Sequence, residues 1–206
     1  DVVLPLDSVN RPKTKEIRQN IRHFRKNLAL NGQYKLPSAV DFGNELTVTP
    51  LFGLGGAGNV LNCTIEDLFQ LVDEKLTICT PYFNFPRTLQ QKIRHLLRKG
   101  KKIEIIVGDK VANDFYIPPE QPFKMAGALP YLYENNLRRF SKKFEREMAQ
   151  GQLIIRTWKD GTNTYHLKGV WIDDNYILLT GNNLNPRAWR LDAENGLFIH
   201  DPKQQL

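Results

Sequence analysis

Apolar residues recur along the chain at two different spacings, and the spacing changes from segment to segment. In "KEIRQNIRHFRKNLAL", residues 15–30, Ile17, Ile21, Phe24, Leu28 and Leu30 fall at helical intervals, which predicts an amphipathic helix with a basic outer face. A polar stretch bearing Gly and Pro follows. "ELTVTPLFGL" reads as a strand ending in a glycine loop, and "CTIEDLFQLVDEK" as a helix capped by Thr64, with Asp67 three residues on. "KLTICTPYF" reads as a buried strand, "PRTLQQKIRHLLRKGK" as an amphipathic helix stopped by Gly100, and "KIEIIVGD" as a further strand. This β-α-β-α-β series favours a sheet with parallel strands and crossover helices. After the proline-punctuated "FYIPPEQP", the segment "PYLYENNLRRFSKKFEREMAQG" predicts one long helix with Leu132, Leu137, Phe140, Phe144 and Met148 turned inward. Short strands are predicted at "QLIIRTW", "HLKGVWI", "YILLTG" and "GLFIHD", with a tight turn at Asp174 and Asn175.

The 206 residues, 41% apolar and 25% charged, suffice for one domain with a sizeable core and exclude a largely disordered chain. No apolar run approaches the roughly 18 residues that span a bilayer. No secretory signal and no Met open the chain. Cys63 and Cys79 sit in apolar surroundings without further ligands nearby, so both read as reduced core residues of a cytoplasmic protein. The net charge of +7 is unevenly spread: eight Lys/Arg lie between Arg87 and Lys110, and eight more among the first 36 residues. Such clusters attract polyanions, either nucleic acid or the anionic face of a membrane.

"GLGGAG", with Gly53, Gly55 and Gly58, has the outline of a dinucleotide-binding turn. The acidic residue that should end the next strand is absent: Asp73 and Glu74 precede that strand, which ends in "TPYFN". A glycine-rich connection is the better reading.

"TYHLKGVWIDDNYILLTGNNLN" carries the candidate chemistry. On a strand, His166 and Lys168 project to one face, with Leu167 and Trp171 opposite. A lysine between core positions is costly to bury unless an anion pairs with it. Asp173 ends the strand; after the turn come Asn182, Asn183 and Asn185, then Glu194. A neutral imidazole can attack phosphorus, a carboxylate on its other nitrogen fixes the tautomer, and a lysine and an amide hold the non-bridging oxygens. This set requires no metal and no other cofactor.

His166-Leu-Lys168, four residues, Asp173 and then "TGNNLN" resembles the His-x-Lys-x4-Asp signature of the phospholipase D superfamily, with Asn183 matching the Asn of the turn and Glu194 the downstream acid. Thr180 and Gly181 stand where the superfamily usually has Gly and Ser/Thr. "KLTICTPYFN", "GKKIEIIVGDKVANDFYIP" and "NPRAWRLDAENGL" extend the likeness to the C-terminal half of the bacterial CDP-diacylglycerol–serine O-phosphatidyltransferases of that superfamily. The resemblance implies an α/β fold, a mixed sheet flanked by helices, forming one motif-bearing half of a pseudo-twofold pair. It implies a basic helical arm or inter-half connection over residues 1–44 and a catalytic half-domain over residues 45–206. CDP-diacylglycerol and L-serine are the implied substrates, phosphatidylserine and CMP the products, and a phosphohistidine the intermediate. His166 is implied as nucleophile or general acid, Lys168 and Asn183 as phosphate ligands, Asp173 as a motif residue more structural than catalytic, and Glu194 as the acid that orients a histidine. Arg187, Tyr82 and Asn84 are weaker candidates for head-group or diphosphate contact.

His23, His95 and His200 lack the pattern, so the chain carries one motif where the superfamily's site takes two. The expectation is a fragment of a longer chain whose N-terminal half brings the second motif; a single-motif protein pairing two copies is the rival. The implied setting is cytoplasmic, peripheral to the inner membrane, with the basic clusters on anionic lipid and no nucleic acid bound. A homodimeric phosphodiesterase or nuclease of the same superfamily is the alternative function.

Overall fold

The structure, a computed structural model, describes residues 15–23, 45–56 and 58–204. The chain divides into two compact units, Asp1–Phe42 and Gly43–Leu206. In the first, residues 15–23 form an exposed helix, α1; the rest of the helix expected over residues 15–30 lies outside the described residues.

The second unit is built on a seven-stranded mixed sheet of order β1-β7-β6-β5-β2-β3-β4. The strands are β1 (Thr47–Leu54), β2 (Lys75–Thr80), β3 (Lys102–Gly108), β4 (Leu153–Trp158), β5 (Gly169–Ile172), β6 (Tyr176–Thr180) and β7 (Ala193–His200). β2, β3 and β4 run parallel, and every other neighbouring pair is antiparallel. The helices are α2 (Val60–Leu68), α3 (Arg87–Arg98), α4 (Leu129–Lys143), α5 (Glu145–Ala149) and α6 (Pro186–Arg190). The expected crossover pattern holds between β2 and β3, which α3 joins. It does not hold at β1, which lies on the far edge with three strands between it and β2.

The core follows from the two spacings. On β3, Ile103, Ile105 and Val107 alternate inward and are at most 1% exposed. On α3, Leu89, Ile93, Leu96 and Leu97 form one stripe at helical intervals. These pack with Leu61 and Ile65 of α2, Phe140 of α4, and Leu76, Ile78, Val170, Ile172 and Leu178 of the sheet. Among the described residues, no helix is long and apolar enough to cross a membrane.

Several sequence expectations need correction. The helix placed at "CTIEDLFQLVDEK" begins at Val60 and ends at Leu68, and its cap is Asn59, whose side chain accepts from the Asn62 N–H. Thr64 lies inside that helix, its hydroxyl donating to the Val60 carbonyl. The earlier start turns Cys63 to solvent, so only Cys79 is buried; both are free thiols. The single long helix is broken at Phe144, whose φ of −117° and ψ of 28° leave helical geometry. Phe140 and Phe144 are buried as expected, but Leu132 is 50% exposed.

The glycine loop after β1 serves packing. A Cβ on Gly53 would collide with the Asn59 side chain, which fills that space and donates from Nδ2 to the Gly55 carbonyl at 2.6 Å.

Candidate active site

One end of the sheet gathers the chemistry. Parallel β2 and β3 end there, as does β6, while antiparallel β5 and β7 begin there. Loops following the carboxyl ends of parallel strands are where ligand groups collect in such sheets.

His166 and Lys168 do not lie on β5 itself but in the extended segment just before it. That segment is anchored by Tyr165, which is 7% exposed, donates its backbone N–H to the Ala112 carbonyl at 3.0 Å, and packs on Trp158 with ring centroids 5.4 Å apart. The anchor leaves His166 exposed and Lys168 half-buried. The Lys168 ammonium donates to the His166 carbonyl at 2.9 Å and lies 3.5 Å from His166 Nδ1.

The other ring nitrogen, His166 Nε2, is 2.8 Å from Asp114 Oδ1. A carboxylate only accepts, so the proton of this contact sits on Nε2 and Nδ1 is left toward Lys168. Asp114 Oδ2 accepts from the Tyr82 hydroxyl at 2.5 Å. Burial alone would raise the Asp114 carboxyl, but the hydrogen bonds from Tyr82 and His166, together with the Lys168 charge, hold it below its ordinary value. Burial, then the Asp114 hydrogen bond and charge, push the Tyr82 hydroxyl far up, so it stays a donor. Asp114 is absent from the sequence-derived set. Its signal was its place, six residues beyond the end of β3, in a loop where Asp109 caps the short turn Lys110–Ala112 and Asn113 accepts from the Phe115 N–H.

Glu194 is the second residue of β7 and makes no hydrogen bond to His166. Its carboxylate lies over the turn, where a Cβ on Gly181 would come within 2.7 Å of Oε2. Gly181, the departure from the usual superfamily turn, makes that space. Burial first, then Asp192, raise the Glu194 carboxyl, while Lys168 and Arg187 pull it back. Burial lowers the Lys168 ammonium, with Glu194 and Asp114 opposing. Glu194 and Lys168 are therefore electrostatic neighbours, and the carboxylate in contact with His166 is that of Asp114.

The three asparagines of the turn separate. Asn182, fully buried, accepts from the Leu184 N–H and donates to Asn62; Asn185 caps α6 through the Ala188 N–H. Asn183 keeps its side chain uncommitted, with Oδ1 buried and lacking a hydrogen-bond partner. Arg187, exposed on α6, pairs with Asp192 at 3.2 Å and exerts its charge on Glu194 and Tyr133.

Asp173 and Asn84 are not in this cluster. Asp173 sits at the opposite end of β5, in left-handed conformation (φ 50°), and accepts from the backbone N–H groups of Asp73, Glu74 and Lys75 at 2.6, 2.8 and 2.6 Å. It staples the end of β5 to the start of β2. Asn84 accepts from Asn136 and lines a separate hollow with Arg139 and Lys143.

Residues 66–206 match the family described as "Cardiolipin synthase, PLD-like domain". The chain is 74% identical over 99% of its length to the CDP-diacylglycerol–serine O-phosphatidyltransferase of Haemophilus influenzae, and 57% identical over 98% to that of Escherichia coli. It spans 45% and 44% of those relatives. The crystal structure of phosphatidylserine synthase from Haemophilus influenzae superposes with a TM-score of 0.84, covering 98% of this chain and 45% of that one. With a family match over more than half of its length, the chain belongs to the phospholipase D-like domain family.

Proposed function

We propose that this chain is the C-terminal half of a phosphatidyltransferase that makes phosphatidylserine and CMP from CDP-diacylglycerol and L-serine. The observation that carries the reading is the 74% identity, over nearly the whole chain, to a relative of that name, in a chain that clusters His166, Lys168, Asn183 and Glu194 at one sheet end.

In this reading His166 is one of two active-site histidines, as nucleophile or as general acid. As nucleophile, its neutral imidazole attacks the phosphatidyl phosphorus with the nitrogen that Asp114 does not hold. The P–N bond forms as the bond to the CMP oxygen breaks. Lys168 and the Asn183 amide hold the non-bridging oxygens where charge grows. Asp114 offsets the positive charge on the ring. The serine hydroxyl then attacks the same phosphorus, and the P–N bond breaks. The proton given to the leaving CMP, and later taken from serine, belongs to a second histidine supplied by the N-terminal half. The basic clusters bring the enzyme to anionic lipid at the cytoplasmic face of the inner membrane.

The test uses the complete polypeptide that carries this chain, with CDP-diacylglycerol in mixed micelles. CMP release coupled to phosphatidylserine formation on adding L-serine is the expected result, and His166→Ala with the fold intact loses it. Release of CMP without phosphatidylserine would favour a hydrolase instead.

A further inference from the structure

A cavity of about 530 Å³ opens beside the histidine cluster, at the carboxyl ends of β2, β3 and β4, and α4 forms its opposite wall. Pro130, Tyr133, Glu134, Leu137, Arg138 and Ser141 of α4 face it at helical intervals. Its charged groups are two of each sign: Asp109 and Glu134 against Lys110 and Arg138. Glu134 bridges the cations, with Oε2 3.3 Å from Lys110 Nζ and Oε1 2.6 Å from an Arg138 nitrogen. The Arg138 hydrogen bond, ahead of Lys110, keeps the Glu134 carboxyl below its ordinary value, so Glu134 is ionised at neutral pH.

We infer that this cavity receives the amino-acid acceptor as a zwitterion, its carboxylate on Lys110 and Arg138 and its ammonium on Asp109 and Glu134. The inference rests on the phosphatidyl-transfer reading above and adds the place of the second substrate. Three features select this ligand. A diphosphate carries several negative charges and would meet two carboxylates on the same walls. An acyl chain would cover four charged groups and offer none of them a polar partner. A free amino acid carries one charge of each sign and can exchange, ion for ion, with pairs already formed. The cavity also connects to the chemistry. Tyr82 forms part of its wall, and the Tyr82 hydroxyl donates to the Asp114 carboxylate whose other oxygen meets His166 Nε2. Tyr82 therefore lies between the cavity and the carboxylate that holds the histidine.

Acceptor discrimination tests this in the complete polypeptide. L-Serine is compared with L-serine methyl ester, which lacks the carboxylate charge, and with 3-hydroxypropionate, which lacks the ammonium. Lys110→Met is expected to narrow the kcat/KM preference for serine over its methyl ester by about tenfold. Asp109→Asn is expected to narrow the preference over 3-hydroxypropionate by a similar factor, while the KM for CDP-diacylglycerol stays within about twofold. Ratios of acceptors measured on one preparation do not depend on the fraction folded. Unchanged ratios in both variants overturn the inference, and so does a KM for CDP-diacylglycerol that rises with the KM for serine, which would give the cavity to the nucleotide. If the unsubstituted polypeptide forms no phosphatidylserine at all, the transfer reading fails first, and the two failures remain distinct.

Discussion

The carboxylate of Asp114 meets the imidazole of His166 at 2.8 Å across 52 residues of sequence, and the same carboxylate accepts from Tyr82 at 2.5 Å. Two donors on one carboxylate fix its plane and so fix the ring. Asp114→Asn keeps the size but offers an amide that can turn its NH2 toward the ring and select the other tautomer. In the complete polypeptide, kcat should fall on the order of 10²-fold with little change in KM. Tyr82→Phe, which leaves the Asp114–His166 contact in place, should lose only several-fold. The imidazole 15N shifts of His166 should move in the Asp114 variant and stay near their original values in the Tyr82 variant. A merely structural Asp114 would lower folded yield without moving those shifts.

The same carboxylate predicts a pH dependence of stability. Asp114 is held below its ordinary 3.8, so the folded state binds its proton more weakly than the unfolded chain does. Its contribution is therefore complete above about 3.8 and disappears as pH falls through the lower folded value. The difference in melting temperature between the unsubstituted protein and Asp114→Asn should close as pH falls below about 4. A difference that grows as pH falls below about 4 would show that the carboxyl is raised instead.

Asp173 should behave as a staple. Three backbone N–H groups donate to it. Hydrogen bonds to an ionised acceptor exceed the ordinary ~1 kcal/mol, and solvent around this turn discounts them. Asp173→Ala should cost roughly 2–3 kcal/mol in denaturant unfolding, through the lost bonds and through the strain of a left-handed residue with φ of 50°. Asn keeps one acceptor oxygen and tolerates that conformation, so Asp173→Asn should cost less than half as much. Turnover per folded molecule should follow stability in both, in contrast to Asp114→Asn.

Local pattern carries further for strands than for caps and for contacts between distant segments. The alternation of Ile103, Ile105 and Val107, and the stripe of Leu89, Ile93 and Leu96, are local signals that burial made visible. The His166–Lys168 pair was legible because one short segment holds it. Asp114 was not: its role exists only where β3 and the segment before β5 end side by side. Glu194 was named from its order in the sequence as the acid that orients a histidine, and the β6–β7 register sets its carboxylate over Gly181, with Lys168 as its electrostatic neighbour. Thr64 misled because "CTIED" has a cap's composition, whereas Asn59 holds the cap by bonding backbone on both sides of itself.

That last arrangement is testable as a coupling. Asn59 occupies the space beside Gly53, accepts from the Asn62 N–H at 2.9 Å, and donates to the Gly55 carbonyl at 2.6 Å. Gly53→Ala should cost about 2 kcal/mol, because its methyl group displaces the Asn59 side chain from a buried position. Asn59→Ala should cost about 1–2 kcal/mol for the cap and the loop contact. In the double variant the methyl group enters space that Asn59 has vacated. The total should then fall short of the sum by about 1 kcal/mol in a double-mutant cycle of denaturant unfolding. Strict additivity would mean that Gly53 is required for its backbone alone, and that the glycine loop is not shaped around Asn59.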